Sequence, residues 1–253
     1  MDSARPLTIL TGASRGLGAA MADRLLTRGA LLLTMSRQPN RSLVVAAEAA
    51  AATLEQWSID LSETVPAAAR LEAWLADRAD TFSSATLINN AALAGKAGPI
   101  DEGDAQELAA VLRVGLEAPM LLTRAFLRAT RTWKVPRKVL NISSGAGKKP
   151  LSGTASYCAV KAGLDHFTRV VALDEARRAQ PALVVSLAPG VVDTDMQTAL
   201  RNSDPDAFPS QPQFAEMKAQ GQLTSPADAA INVLAYLAHP DFGINPVADV
   251  REA

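Results

Sequence analysis

Thr11-Gly12-Ala13-Ser14-Arg15-Gly16-Leu17-Gly18 follows directly on the short apolar run 7–10, and the reading of this stretch decides the fold. Gly12, Gly16 and Gly18 permit a tight turn, close approach of the backbone to a phosphate, and close packing of a helix on a strand. A helix opening at this point aims its unpaired first-turn N–H groups at an anion. The spacing Gly-x-x-x-Gly-x-Gly departs from the commoner dinucleotide fingerprint, so its weight comes from the strand–turn–helix context. The competing interpretation is a glycine-rich turn with no ligand.

Outward from this turn, short apolar runs alternate with longer helix-compatible stretches. The strands are expected at 7–10, 30–35, 56–59, 85–89, 138–142 and 183–187, continuous in polarity and therefore read as fully buried. Helices are expected at about 16–28, 42–53, 63–79, 104–130 and 154–179. Alternation of this kind predicts an α/β fold, a doubly wound parallel sheet with helices on both faces. Gly29 marks a left-handed exit from the first helix, and Ser225-Pro226 an N-cap opening a helix to about Ala238. The segment 191–223 is rich in Pro, Asp, Ser and Gln and follows a strand's carboxyl end, where such sheets bind ligands. It is expected to be a mobile flap within a single domain spanning 1–253.

The 253 residues, 48% hydrophobic and 20% charged, have the balance of a folded globular chain with one substantial core. A net charge of −1 without long runs of one sign argues against general affinity for nucleic acid or acidic membranes. No stretch reaches the roughly 18 apolar residues of a membrane span. Cys158 is the single cysteine and no Cys/His cluster suggests a metal. The expected location is the cytoplasm. No internal repeat is evident.

The end of the second strand, Thr34-Met35-Ser36-Arg37, bears on which dinucleotide binds. A carboxylate there would accept from the ribose hydroxyls of NAD and repel the extra phosphate of NADP. Ser36 and Arg37 instead offer a hydroxyl and a guanidinium suited to a 2′-phosphate, with Arg15 available from the glycine loop. A solvated surface arginine is the alternative. Asp60-Leu61 after the third strand faces the adenine edge in this scheme, and Asn89-Asn90-Ala91 lines the nucleotide crevice after the fourth.

Three further residues carry chemistry. Tyr157 and Lys161, four apart on one predicted helix, share a face. A tyrosine with its ordinary pKa near 10 is a poor proton donor–acceptor at neutral pH, but a nearby ammonium stabilises the phenolate. Ser144, at the end of the fifth strand, is placed to hold a substrate oxygen beside Tyr157. An amphipathic helix face would produce the same Tyr-x-x-x-Lys by chance; its coupling to the glycine turn makes the chemical interpretation specific. His166 gains no partner from its spacing, and His239, ahead of Pro240, suits the carbonyls of a helix end.

With these residues in view, the sequence resembles the short-chain dehydrogenase/reductase family from about Leu7 to Asp249. Thr11 to Gly18 matches the family's cofactor loop, and Asn89-Asn90-Ala91 its motif after the fourth strand. Ser144 with Tyr157-Cys158-Ala159-Val160-Lys161 matches its catalytic motif, and Pro189-Gly190 with Val192 and Thr194 its nicotinamide-side segment. A narrower likeness to the sepiapterin and benzil reductase subgroup rests on Asn141 to Gly145, Asp193 to Gln197, Lys218 to Leu223 and the tail Ala248-Asp249-Val250. The resemblance implies NADPH-dependent reduction of a carbonyl, often in a vicinal dicarbonyl, with Tyr157 as acid, Lys161 on the nicotinamide ribose and Ser144 orienting the substrate. It also implies a homodimer or homotetramer built on the helices at 104–130 and 154–179.

Asp249 is taken as an exposed tail carboxylate, with substrate contact as the alternative. Two departures stand out. Gly115 occupies the place of an asparagine that, in the family, anchors a water in the proton relay, and Ala92 stands where many members have glycine. Either water replaces the missing amide or proton resupply is slower. A second reading is therefore a nucleotide-binding sensor with weak or lost catalysis, which would bind NADPH without turning over any carbonyl.

Overall fold

Leu7, Ile9 and Leu10 are all buried, so the strand they form has no solvent-facing side. It is β1 (Arg5–Thr11), and a computed structural model, which describes residues 4–78 and 81–252, places it centrally in a seven-stranded sheet. The others are β2 (Leu31–Ser36), β3 (Thr53–Ser58), β4 (Phe82–Asn89), β5 (Arg137–Ile142), β6 (Leu183–Ala188) and β7 (Val247–Asp249). Their order is β3-β2-β1-β4-β5-β6-β7, and every pairing is parallel.

Parallel neighbours require crossovers, and helices supply most of them. They are α1 (Gly16–Leu25), α2 (Ser42–Ala50), α3 (Thr64–Ala76), α4 (Ala105–Leu112), α5 (Ala118–Ala129), α6 (Ala155–Ala176), α7 (Asp195–Arg201), α8 (Gln211–Ala219) and α9 (Pro226–Ala238). Successive strand side chains point to opposite faces and seed two cores. Leu7, Ile9 and Leu33 pack with Leu71 of α3 and Phe126 of α5. Leu10 and Leu32 pack on the other face with Met21 of α1 and Val233 of α9. This is the doubly wound α/β architecture that the alternation predicts.

Five local features differ from expectation. β7 has only three residues and no apolar run of its own; it exists because Ser186, Leu187 and Ala188 pair with it. β3 is an edge strand, exposed at both ends, half-buried over Leu54–Gln56 and buried at Trp57, rather than a fully buried one. The predicted helix 42–53 ends at Ala50, and Ala51 turns left-handed (φ 52°) so that Thr53 opens β3. The predicted helix 63–79 is observed as Thr64–Ala76, with residue 79 outside the described residues. The stretch 104–130 is interrupted by a π-helical turn, Arg113–Glu117. Pro119 has no N–H to return to residue 115, and the Ala118 N–H reaches back to the Arg113 carbonyl instead.

Gly29 is left-handed (φ 79°), and Ser225 caps α9 by accepting from the Asp228 N–H at 3.1 Å, as expected. The segment 191–223 folds into α7 and α8 around a fully buried Phe208, which meets Phe214 edge-on with centroids 5.4 Å apart. Asp193 ties its two ends together, accepting from Arg201 at 3.1 Å and from Lys218 at 2.6 Å. Among the described residues no helix is long and apolar enough to cross a membrane.

Candidate active site

The strand order reverses between β1 and β4, and the crevice at such a switch point, beyond the strands' carboxyl ends, is where these sheets bind ligands. The glycine loop lies there. Gly12 (φ 73°) and Gly16 (φ 56°) are left-handed, and the Gly12 N–H donates to the Met35 carbonyl at 2.8 Å. Gly18 admits no side chain, since a Cβ would stand 2.0 Å from the Gly12 carbonyl oxygen and 2.6 Å from Asn90 Nδ2. α1 starts with neither a side-chain cap nor an acidic residue in its first turn. Its first N–H groups are thus available to an anion, the arrangement that holds a pyrophosphate. These residues fit a dinucleotide.

Around this loop, Asn90 donates from Nδ2 to the carbonyls of Thr11 (3.0 Å) and Gly12 (3.2 Å). Thr11 Oγ1 in turn accepts from the Asn90 and Ala91 N–H groups. The Thr194 methyl lies 3.4 Å from where a Gly16 Cβ would be, so the segment after β6 reaches the glycine loop. Val192 bridges to Thr224, and Gly190 is left-handed (φ 81°) after the half-buried Pro189. Ser14 and Arg15 are exposed, and Arg15 pairs with Asp195 at 3.1 Å.

Arg37 stands near Asp60. The Ser62 N–H and hydroxyl hold the Asp60 carboxyl below its usual range, and the Arg37 charge adds to this. Some predicted residues do not turn their side chains to the crevice. Leu17 and Leu61 belong to the two cores, and Ser36 spends its hydroxyl on the Gln38 carbonyl at 3.1 Å. Asn89 lies beneath the crevice in a buried chain running Thr123–Asn89–Asn141–Thr168, with hydrogen bonds of 3.2, 2.8 and 2.9 Å.

Ser144, Tyr157 and Lys161 converge beyond β5. Ser144 closes a short 3-10 turn, its hydroxyl accepting from the Ala146 N–H at 3.2 Å. Tyr157 and Lys161 sit one turn apart near the start of α6, with Lys161 Nζ 5.5 Å from the Tyr157 ring centroid. Burial pushes the Tyr157 phenol above its usual pKa, while the nearby Ser144 hydroxyl works in the opposite direction. Burial pushes the Lys161 ammonium down to about 8, and Asp165 opposes that fall. Lys161 Nζ donates to the Ile142 carbonyl at 2.8 Å, which fixes it at the end of β5.

The arrangement can hold an oxygen atom with Ser144 and deliver a proton to it from Tyr157, beside a dinucleotide cradle. Residues 7–205 match the profile described as short chain dehydrogenase. The chain belongs to that family. Within the short-chain dehydrogenases it is 35% identical to a benzil reductase, (S)-benzoin forming, of Bacillus cereus, over 96% of this chain and 98% of that protein. It is 32% identical to the sepiapterin reductase of Xenopus tropicalis over 79% of each chain. A crystal structure of a metagenomic short-chain oxidoreductase in complex with NADP shares 27% identity at a TM-score of 0.72, covering 97% of this chain and 95% of that one.

Two readings change with the structure. Asp249 is no exposed tail carboxylate: it is buried at the end of β7, and its side chain accepts from Arg251 Nε at 2.8 Å. His239 does not donate to the last carbonyls of α9; its Nδ1 accepts from the Asp241 N–H at 3.2 Å. Gly115 is buried in the π-helical turn, against Val160. A Cβ there would stand 2.6 Å from Val160 Cγ1, the residue just before Lys161. Thr11 as a brace, Asn141 as more than part of a likeness, and Thr168 and Asp165 altogether lie outside what the motifs assigned. Only Asp165 carried a signal, its spacing of four from Lys161.

Proposed function

We propose that this short-chain dehydrogenase is an NADPH-dependent carbonyl reductase acting on a vicinal dicarbonyl such as benzil or a sepiapterin-like compound. The observation that carries the reading is the convergence of Ser144, Tyr157 and Lys161 beside an uncapped, glycine-rich helix start. The names of the relatives support the substrate class. The N–H groups of α1 receive the pyrophosphate, and Arg37 with Arg15 receives the 2′-phosphate, a partner for which a guanidinium is well shaped.

When bound, the nicotinamide supplies the hydride. Ser144 holds the substrate carbonyl oxygen, and Tyr157 passes its phenolic proton to that oxygen as the carbon is reduced. Lys161, as an ammonium, stabilises the phenolate left behind and contacts the nicotinamide ribose. Exposed Leu112 of α4, Met120 of α5, and Val170 and Leu173 of α6 support a homo-oligomer formed through these helices.

The test follows NADPH and NADH absorbance with benzil, other vicinal diketones, simple aldehydes and sepiapterin. NADPH-selective turnover of a dicarbonyl is expected. The Tyr157→Phe chain should bind NADPH as before and lose turnover by about a thousand-fold or more. Near wild-type turnover in that variant removes Tyr157 as the acid, and preference for NADH removes the assignment of Arg37. Gly115 favours a second reading, a sensor that binds NADPH; binding with no turnover on any of these carbonyls would select it.

A further inference from the structure

Asp165 is a buried carboxylate that the proposed chemistry leaves unused. It follows Lys161 by one turn and Tyr157 by two, so the three share a stripe of α6. Its Oδ1 accepts two hydroxyls at 2.6 Å, from Ser143 beyond β5 and from Ser186 within β6. Hydroxyls donating at this distance suit a carboxylate acceptor. Oδ2 lies against Gly147, where a Cβ would come within 2.8 Å of it. An anion removed from water needs compensation, and two serines supply hydrogen bonds but no positive charge. Lys161 supplies the charge through space, because its own hydrogen bond goes to the Ile142 carbonyl.

We propose that Asp165 is a positioning residue that keeps Lys161 charged, acting through the lysine and not on the substrate. Its catalytic consequence rests on the reductase reading; its electrostatic effect does not. Arg169, one turn beyond Asp165 on α6, is exposed. The 3-10 turn after Ser144 and β6 carry no charge, while Arg113 and Glu117 of the π-helical turn, Glu107 of α4 and Lys148 are exposed. Asp249 of β7 is occupied by Arg251. On α6 itself, Tyr157, Cys158 and Asp165 are the titratable groups within one turn of Lys161.

Removing the carboxylate's charge weakens the hold on the ammonium, so Lys161 loses its proton at lower pH. In Asp165→Asn, with saturating NADPH, the pH at which kcat/KM for the carbonyl declines should move to the acid side by about one unit. The loss is expected to be small near pH 6 and about ten-fold above pH 8. Ser186→Ala removes a contact but keeps the charge, and should lower thermal stability with the inflection unmoved. A uniform loss across pH in Asp165→Asn, or an inflection that does not move, assigns Asp165 a structural role only and overturns the proposal.

The same chains with 13Cε-labelled lysine give a readout independent of turnover, the Lys161 resonance being identified by its loss in Lys161→Arg. Its titration should shift to lower pH in Asp165→Asn even if no carbonyl is reduced, which separates this inference from the reductase reading. Should Asp165→Asn not fold, the wild-type titration decides: a Lys161 charged to about pH 8 supports the proposal, and one neutral well below pH 7 overturns it.

Discussion

Helices α1 and α6 both lie against the sheet beside the crevice, but they meet it with opposite chemistry. α1 buries Leu17, Gly18, Met21 and Ala22, and its fit depends on the closeness of two backbones. α6 buries Val160 and Leu164 but also Lys161, Asp165, Thr168 and Glu175. Each of these polar groups has a partner from the sheet or the chain entering it. Lys161 meets the Ile142 carbonyl, Asp165 meets Ser143 and Ser186, Thr168 meets Asn141, and Glu175 meets the Ala182 N–H. A phosphate cradle needs only backbone N–H groups held close, so apolar packing suffices behind it. Ionisable side chains as buried as Lys161, Asp165 and Glu175 persist inside a protein only where hydrogen bonds replace water.

The largest effect that tests this contrast is expected in α1. Gly18→Ala puts a methyl group 2.0 Å from the Gly12 carbonyl oxygen, and rigid backbone cannot yield as a side chain does. The variant should lose more than about 3 kcal/mol of stability by chemical denaturation, together with dinucleotide binding by fluorescence titration. Wild-type stability in Gly18→Ala would break the claim that backbone closeness limits this contact.

Thr168→Val, an apolar change of similar shape on α6, strands the Asn141 amide without its acceptor. A cost of about 1–3 kcal/mol is expected in the same measurement. No loss would mean that the buried polar chain is dispensable to the packing of α6.

The smallest effect is expected at the second glycine contact, where α6 meets the π-helical turn. A Gly115 Cβ strikes the Val160 side chain, which can shift, and alanine gains helix propensity over glycine. Gly115→Ala should cost no more than about 1 kcal/mol. Combined with Val160→Ala it should be more stable than the sum of the two single costs, by about 1 kcal/mol. Strict additivity would show that the notch and Val160 are not matched to one another. By the same geometry, Gly115→Asn alone is not a simple restoration of a relay amide.

Much of the site was legible because its elements are local. The glycine turn, the i, i+4 spacing of Tyr157 and Lys161, and the serine at a strand end are each set within a few residues. The limits appear at Asn89 and Leu17, whose motif membership suggested contact with the crevice although their side chains point into the sheet layers. Motif position fixes where the backbone is, while the two-residue period of a strand and the facing of a helix decide where the side chain goes. The pairing of Thr168 with Asn141 gave no signal, since a threonine and an asparagine 27 residues apart become partners only when α6 lies on β5.

By itself the sequence determined the doubly wound alternation, the glycine-rich turn and the shared face of Tyr157 and Lys161, because apolar periodicity, glycine conformations and helical spacing act over short range. Only the tertiary structure decided that three residues ending in Asp249 form a seventh strand, that Gly115 lies against Val160, and that Ser143 and Ser186 both donate to Asp165. Each of those depends on what a distant segment brings against the residue: a free strand edge, a side chain needing room, or two hydroxyls that make a buried anion tolerable.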